Sequence, residues 1–168
     1  MENEIIQLVK ELQLQPHPEG GFFRETYRSD LKLSTPWEKE NADSRRSLST
    51  AIIFLITAGN FSAFHRIKSD ECWHFYSGQP LLVHRISPDG IYSCIQLGNR
   101  GGEGQIFQYV VPAGYWFASE VGTKTGYALV GCTVSPGFDF ADFELADRKE
   151  LMQLYPGHGK LIERLTRV

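Results

Sequence analysis

Apolar and polar positions change period along this chain. Ile5, Leu8, Val9 and Leu12 recur at helical spacing, with Glu4, Lys10 and Glu11 elsewhere on the wheel. This predicts one amphipathic helix over residues 2 to 14, ended before Pro16. Pro16-His17-Pro18-Glu19-Gly20-Gly21 reads as a stiff turn with a flexible exit. From Phe22 the period drops to two. Phe22 to Arg28 reads as a strand, with Phe22, Arg24, Thr26 and Arg28 on one face and Phe23, Glu25 and Tyr27 on the other. The polar stretch Ser29 to Arg46 reads as a long, partly mobile loop anchored by Trp37.

Beyond Ser47 the pattern is almost wholly strand and turn. Ser47 to Thr57 is apolar and β-branched, and Ala58-Gly59-Asn60 ends it. Phe61 to Gly78 reads as two strands about a polar turn, Lys68-Ser69-Asp70. Alternation puts Phe61, Ala63, His65 and Ile67 on one face, and Glu71, Trp73 and Phe75 on one face of the next strand. Leu81 to Ile86 and Ile91 to Leu97 flank Ser87-Pro88-Asp89-Gly90, a hairpin signal. Gly98 to Gly104 lacks the GK[ST] ending of a phosphate loop and reads as a long hairpin connection. Three further strands are expected at Gln105 to Val111, Tyr115 to Ser119 and Tyr127 to Val134, then a closing helix over Asp147 to Tyr155 with Asp147 near its start. Short strands with Gly/Pro turns, and helices only at the ends, predict an antiparallel sandwich or barrel.

With 168 residues the chain reads as a single domain. Its net charge of -3, with no basic cluster beyond Arg45-Arg46, argues against a nucleic-acid partner. Cys72, Cys94 and Cys132 form no CxxC pair, so neither a disulfide framework nor a zinc site of cysteines is supported. Free thiols and an acidic N-terminus without a signal-peptide pattern suit the cytoplasm. The longest apolar run, Ala51 to Ile56, is too short to span a bilayer.

Chemistry enters with His65 and Glu71. If their two faces coincide, an imidazole and a carboxylate share an apolar interior, where each must be paired, bind a metal or do chemistry. The bland alternative for His65 is a buried ring bonded to backbone. A histidine beside a carboxylate is a plausible general base for removing a proton next to a carbonyl. Trp73, Phe75 and Phe117 are candidate ligand-stacking rings, and aromatic stripes in strands are equally core. Arg24 and Arg28 are candidates to hold a phosphate or carboxylate. His17 and Glu19 either close over the barrel mouth or form a structured loop, and Tyr27 and Tyr127 are candidate proton donors. Asp139, Asp142, Glu144 and Asp147 read as a solvated acidic face.

The same stretch resembles the first cupin motif, with His65, Glu71 and Gly78 in register, and Pro112-Ala113-Gly114-Tyr115-Trp116-Phe117 resembles the second. Pro16 to Phe22, Asp70 to His74 and Ala128 to Phe138 are similar to the signatures of one cupin-like family, DUF985 or cupin type 5. The resemblance implies a cupin-type double-stranded β-helix (jelly roll) over 47–145, preceded by a helix (1–15) and an arm and loop (16–46), and followed by a C-terminal helix and tail (146–168). It also implies similarity in fold to the dTDP-sugar 3,5-epimerases and packing as a homodimer, with no established reaction attached. Where typical cupins carry further metal histidines, this chain has Ile67 and Phe117. No cofactor is therefore expected, and a weak divalent metal on His65 and Glu71 is left open. His74, one residue out of phase with Glu71, is expected to face the other side of its sheet. Three readings follow: a metal-independent epimerase- or isomerase-like enzyme using His65 and Glu71, with Arg24, Tyr27, Trp73, Phe75 and Phe117 lining its pocket; a non-catalytic module that binds or senses a small-molecule ligand; or a weak-metal cupin enzyme with a reduced site.

Overall fold

The period-two stretches are strands in a computed structural model of the chain, which describes residues 2–37 and 45–167. Helix α1 (Glu2–Glu11) is followed by β1 (Gln15–Pro16), β2 (Phe22–Arg28), β3 (Lys32–Leu33), β4 (Arg46–Ser47), β5 (Thr50–Thr57), β6 (Phe61–Arg66) and β7 (Asp70–Gly78). Then come β8 (Leu81–Ile86), β9 (Tyr92–Leu97), β10 (Gln108–Val111), β11 (Trp116–Val121), β12 (Tyr127–Ser135), β13 (Glu144–Leu145), α2 (Arg148–Leu154) and α3 (Gly159–Arg164). Among the described residues the strands form a six-stranded sheet, β1-β2-β5-β12-β7-β10, facing a five-stranded sheet, β13-β6-β11-β8-β9, with β3-β4 as a separate arm. Neighbouring strands run antiparallel, giving the sandwich that the turn signals predict and the jelly roll that the resemblance implies. No helix of the described residues is long and apolar enough to cross a membrane.

Alternation decides what fills the space between the sheets. Phe54 and Ile56 of β5, Trp73 and Phe75 of β7, Phe117 of β11, and Ala128 and Val130 of β12 point inward and are buried together. Burying each large apolar side chain contributes roughly 1.5–3 kcal/mol. A second core lies outside the five-stranded sheet, where Phe64, Ile86, Trp116 and Ala118 meet Leu151, Ile162 and Leu165. It latches α2 and α3 onto the barrel. The Asp147 carboxylate caps α2 as expected, accepting from the Glu150 N–H at 3.0 Å. Helix α3 occupies what the sequence reads as tail.

Gly78, the glycine that closes the first motif, has φ +95°, and a Cβ there would stand 2.2 Å from the Tyr127 carbonyl oxygen. Only glycine fits.

Several expectations are corrected. The glycine-rich 98–104 segment carries a short 3₁₀ turn and links β9 to β10, which belong to different sheets, so it crosses between layers instead of closing a hairpin. The acidic run is not uniformly solvated: Asp142 is buried and bonded to the Arg46 guanidinium at 2.6 and 3.0 Å. The Trp37 indole also donates to Asp142, at 3.3 Å, so the described part of the 29–46 stretch is tied to the barrel. The rest of that stretch, 38–44, lies outside the described residues.

Candidate functional site

A cavity of about 250 Å³ opens at one end of the barrel interior, against the six-stranded sheet. The register explains its lining. Arg28 pairs with Thr50, Thr50 with Val134, and Val134 with Glu71, so these four side chains form one row across β2, β5, β12 and β7. Glu25, Ile52 and Cys132 form the next row. His17 from the proline-rich turn, Phe23, and the segment Phe138, Asp139 and Phe140 complete the wall.

The two rows exist because β2 is not regular. Its pairing with β5 slips by one residue between Glu25 and Tyr27, a bulge that brings Arg28 onto the face of Phe23 and Glu25. The expected alternation of β2 is therefore corrected: Arg28 lines the cavity, while Arg24 and Tyr27 do not. The Arg24 guanidinium instead lies 3.4 Å from the Gln13 side-chain oxygen, and Tyr27 is exposed.

β6 is irregular too. Phe117 pairs with His65 but Ser119 pairs with Ser62, so β6 holds one residue more than β11 over this span. Ser62 falls in phase with His65, and Phe61 packs with the outer core. This corrects the expected grouping of Phe61 with His65.

His65 is buried with both ring nitrogens engaged. Nδ1 is 2.7 Å from the Ala63 carbonyl, which can only accept, so Nδ1 carries the proton. The backbone-bonded histidine weighed from sequence is thus half of what is found. Nε2 faces the Glu19 carboxyl at 3.1 Å, and Ser62 donates to the other Glu19 oxygen at 2.8 Å. Burial lowers the His65 pKa, against the raising influence of Glu71 and of the bond to Ala63. Burial raises that of Glu19, against His17 and Ser62. Both directions are toward the neutral forms, and Nε2, left without a proton in that ring, faces the Glu19 oxygen.

Glu71 differs from Glu19 in reaching the cavity. Its pKa is raised to about 7, by burial first, with His65 opposing, Glu19 adding and the Cys132 thiol opposing. Cys132 lies diagonal to it on β12, its own thiol pushed well up by burial and by the Glu71 charge. His17 is held below its usual pKa by burial, and its Nδ1 accepts the Glu19 N–H at 3.3 Å. In the neutral ring that puts the proton on Nε2.

The remaining candidates are core. Trp73 and Phe117 are each 1% exposed, and Phe117 packs on the His65 ring at 4.1 Å between centroids. Phe75 is buried in the same cluster, and none of the three lines the cavity. His74 faces outward, bonded to Thr133 and Gln108 at 3.0 and 2.8 Å. Tyr127 donates to Glu4 at 3.0 Å. Glu19, His17, Arg28 and Cys132 are the members that the sequence singled out weakly or not at all. The available signal was the Pro/Gly-rich turn around Glu19.

The residues present do not fit a resident metal. Both His65 nitrogens are engaged, and Ile67 and Phe117 put buried hydrocarbon at the other ligand positions. Among the described residues no group of three or more His, Cys, Asp or Glu is arranged to hold a metal ion.

The model of a family described as Cupin superfamily (DUF985) matches residues 6–146. Protein SO0799 from Shewanella oneidensis is 40% identical in a solved structure, with TM-score 0.85 and 96% of each chain covered. A hypothetical protein from Leishmania major is 38% identical, with TM-score 0.87, covering 97% of this chain and 98% of that one. The uncharacterized protein YML079W of Saccharomyces cerevisiae is 30% identical over 169 residues, 94% of this chain and 82% of the yeast protein.

Proposed function

The chain belongs to the cupin superfamily, in the family DUF985, and on that premise we propose that it binds a small molecule in the barrel cavity and moves a proton on it, as an isomerase or epimerase does. The observation that carries this reading is Glu71: a buried carboxyl, open to the cavity, with a pKa of about 7. Such a group exchanges protons in both directions near neutral pH.

The step needs only the chain's own residues. The Glu71 carboxylate takes a proton from a carbon next to a carbonyl, the C–H electron pair moves into the enolate, and Glu71 becomes the neutral acid. The His17 Nε2–H supports the developing oxyanion as a neutral donor, its imidazolium form being disfavoured by burial. When the α-carbon carries a hydroxyl the enolate is an enediolate: the hydroxyl proton passes to the former carbonyl oxygen, a new carbonyl forms at the old α-carbon, and Glu71 returns its proton to the former carbonyl carbon, so one acid–base group completes the isomerisation. His65 and Glu19 act behind Glu71 as positioning residues, because the imidazole is enclosed and does not line the cavity.

The test begins with whatever co-purifies, identified by native mass spectrometry, and follows deuterium uptake at its acidic carbon in heavy water. Exchange by the wild type, with loss of about 10²-fold or more in Glu71→Gln and retained binding, is the expected result. Tight binding without exchange makes the protein a non-catalytic binding module. The three free cysteines support placing the protein in the cytoplasm, and the family premise also includes a homodimer. Sedimentation as a monomer at micromolar concentration overturns that part.

A further inference from the structure

The charged lining of the cavity is unbalanced. Glu25, Glu71 and Asp139 bring three carboxyl groups, and Arg28 brings one guanidinium. That guanidinium is already engaged. Its Nε and Nη2 donate to the two Glu25 oxygens at 2.9 and 2.7 Å, and Nη2 also donates to the Phe138 carbonyl at 3.1 Å. His17, the other basic group, is kept toward its neutral form by burial. The cavity therefore holds an excess of one negative charge when Glu71 is protonated and of two when it is ionised. Among the described lining residues an anion meets no unengaged cation. In a recess of lowered dielectric that mismatch is costly.

The rest of the wall suits the opposite charge. Phe138 and Phe140 meet edge to face with centroids 5.0 Å apart, and Phe23 closes the β2 side. Ring faces attract organic cations, and neighbouring carboxylates offset the cost of stripping their water. Asp139 is held in place at the rim, accepting the Ala141 N–H at 2.8 Å on one oxygen.

We propose that this cavity takes a small organic cation, an ammonium group on an apolar body, with its charge toward Asp139 and Glu71 and its carbon skeleton on the phenylalanine rings. The inference rests on the reading of this cavity as the ligand site. It excludes phosphorylated and carboxylated compounds, the class that a free arginine on β2 would have suited.

Three probes share one ring and differ in charge: cyclohexylammonium, cyclohexanol and cyclohexanecarboxylate. Their affinities for the full-length protein at neutral pH are read by calorimetry and by chemical-shift titration. The ammonium should bind about tenfold more tightly than the alcohol, with the carboxylate weakest. Asp139→Asn should lower ammonium affinity about tenfold and leave the alcohol unchanged. Glu25→Gln frees Arg28 and should raise carboxylate affinity above that of the wild type. A carboxylate that binds the wild type as well as the ammonium overturns the proposal, as does ammonium binding that fails to saturate at millimolar concentration. Ammonium preference without proton exchange removes only the catalytic reading. Exchange on an anionic ligand removes only this one.

Discussion

Glu71 concentrates the chemistry of this chain in one carboxyl. Its pKa rises from an ordinary 4.5 to about 7 on folding, so between those values the folded protein binds a proton that the unfolded chain does not. Stability is greatest below the lower value and is lost as pH rises through the upper one. The loss amounts to about 3 kcal/mol at 1.36 kcal/mol per unit. Glu71→Gln should therefore match the wild type near pH 5 and exceed it by up to about 3 kcal/mol at alkaline pH. Thermal melts across that range check this, and parallel curves would mean that Glu71 is ionised throughout. His65 is the contrasting residue. Its imidazole is enclosed by Ala63, Glu19 and Phe117, so His65→Ala should weaken the site by releasing Glu19 and leave measurable proton exchange. Complete loss, equal to that in Glu71→Gln, would make His65 catalytic in its own right. The inward placement of Glu71, Trp73 and Phe75 was legible from sequence because β7 keeps strict alternation through them. The faces of β2 and β6 were not, because one bulge in each reverses the phase and no residue type announces it.

Two elements outside the regular sheets build the site. The Pro16–Gly21 turn carries Glu19 to His65, and its backbone lies along β6, with the Ala63 N–H donating to the Glu19 carbonyl at 2.8 Å. Arg167 clamps it from the other end of the chain, donating to the Glu19 carbonyl at 3.3 Å and to the Phe61 carbonyl at 2.9 Å. Gly20 has φ +115°, and a Cβ there would stand 2.2 Å from both the Phe61 oxygen and Arg167 Nη2. Gly20→Ala should destabilise by more than about 1 kcal/mol and pull Glu19 off His65, readable as a changed His65 ring resonance by NMR. A fold and a ring signal both unchanged would show the turn to be slack. The second element is the arm. Asp142 joins Arg46, Trp37 and Lys68, and although its own burial would raise its pKa, Arg46 holds it below the usual range. Asp142→Ala removes two charge-assisted hydrogen bonds from the buried Arg46 guanidinium and should cost about 1.5–3 kcal/mol in chemical denaturation. A cost under about 1 kcal/mol would mean that the pair is effectively solvated.

At the scale of the molecule the two cores have separate tasks. The inner one fills the space between the two facing sheets, and the outer one fastens the C-terminal helices whose end supplies Arg167. Ile162→Ala, at a fully buried position of the outer core, should cost about 2–5 kcal/mol and loosen the Glu19 turn without moving the cavity rows. Slower amide exchange in the barrel than in α3 would report that division.

Local physics carried much of this into the sequence. The longer strands, the Ser87–Gly90 turn, the cap at Asp147, the glycine at Gly78 and the burial of Glu71 follow from period, backbone stereochemistry and propensity, and the spacing of the motif residues points to the family. Tertiary structure alone decided which polar groups meet. Glu19 reaches His65 across 46 residues of chain, Arg28 reaches the row of Glu71 through a bulge, and Arg46 finds Asp142 from 96 residues away. Such pairings are set by sheet register and by the closing of long loops, whose cost is settled only when the whole core forms.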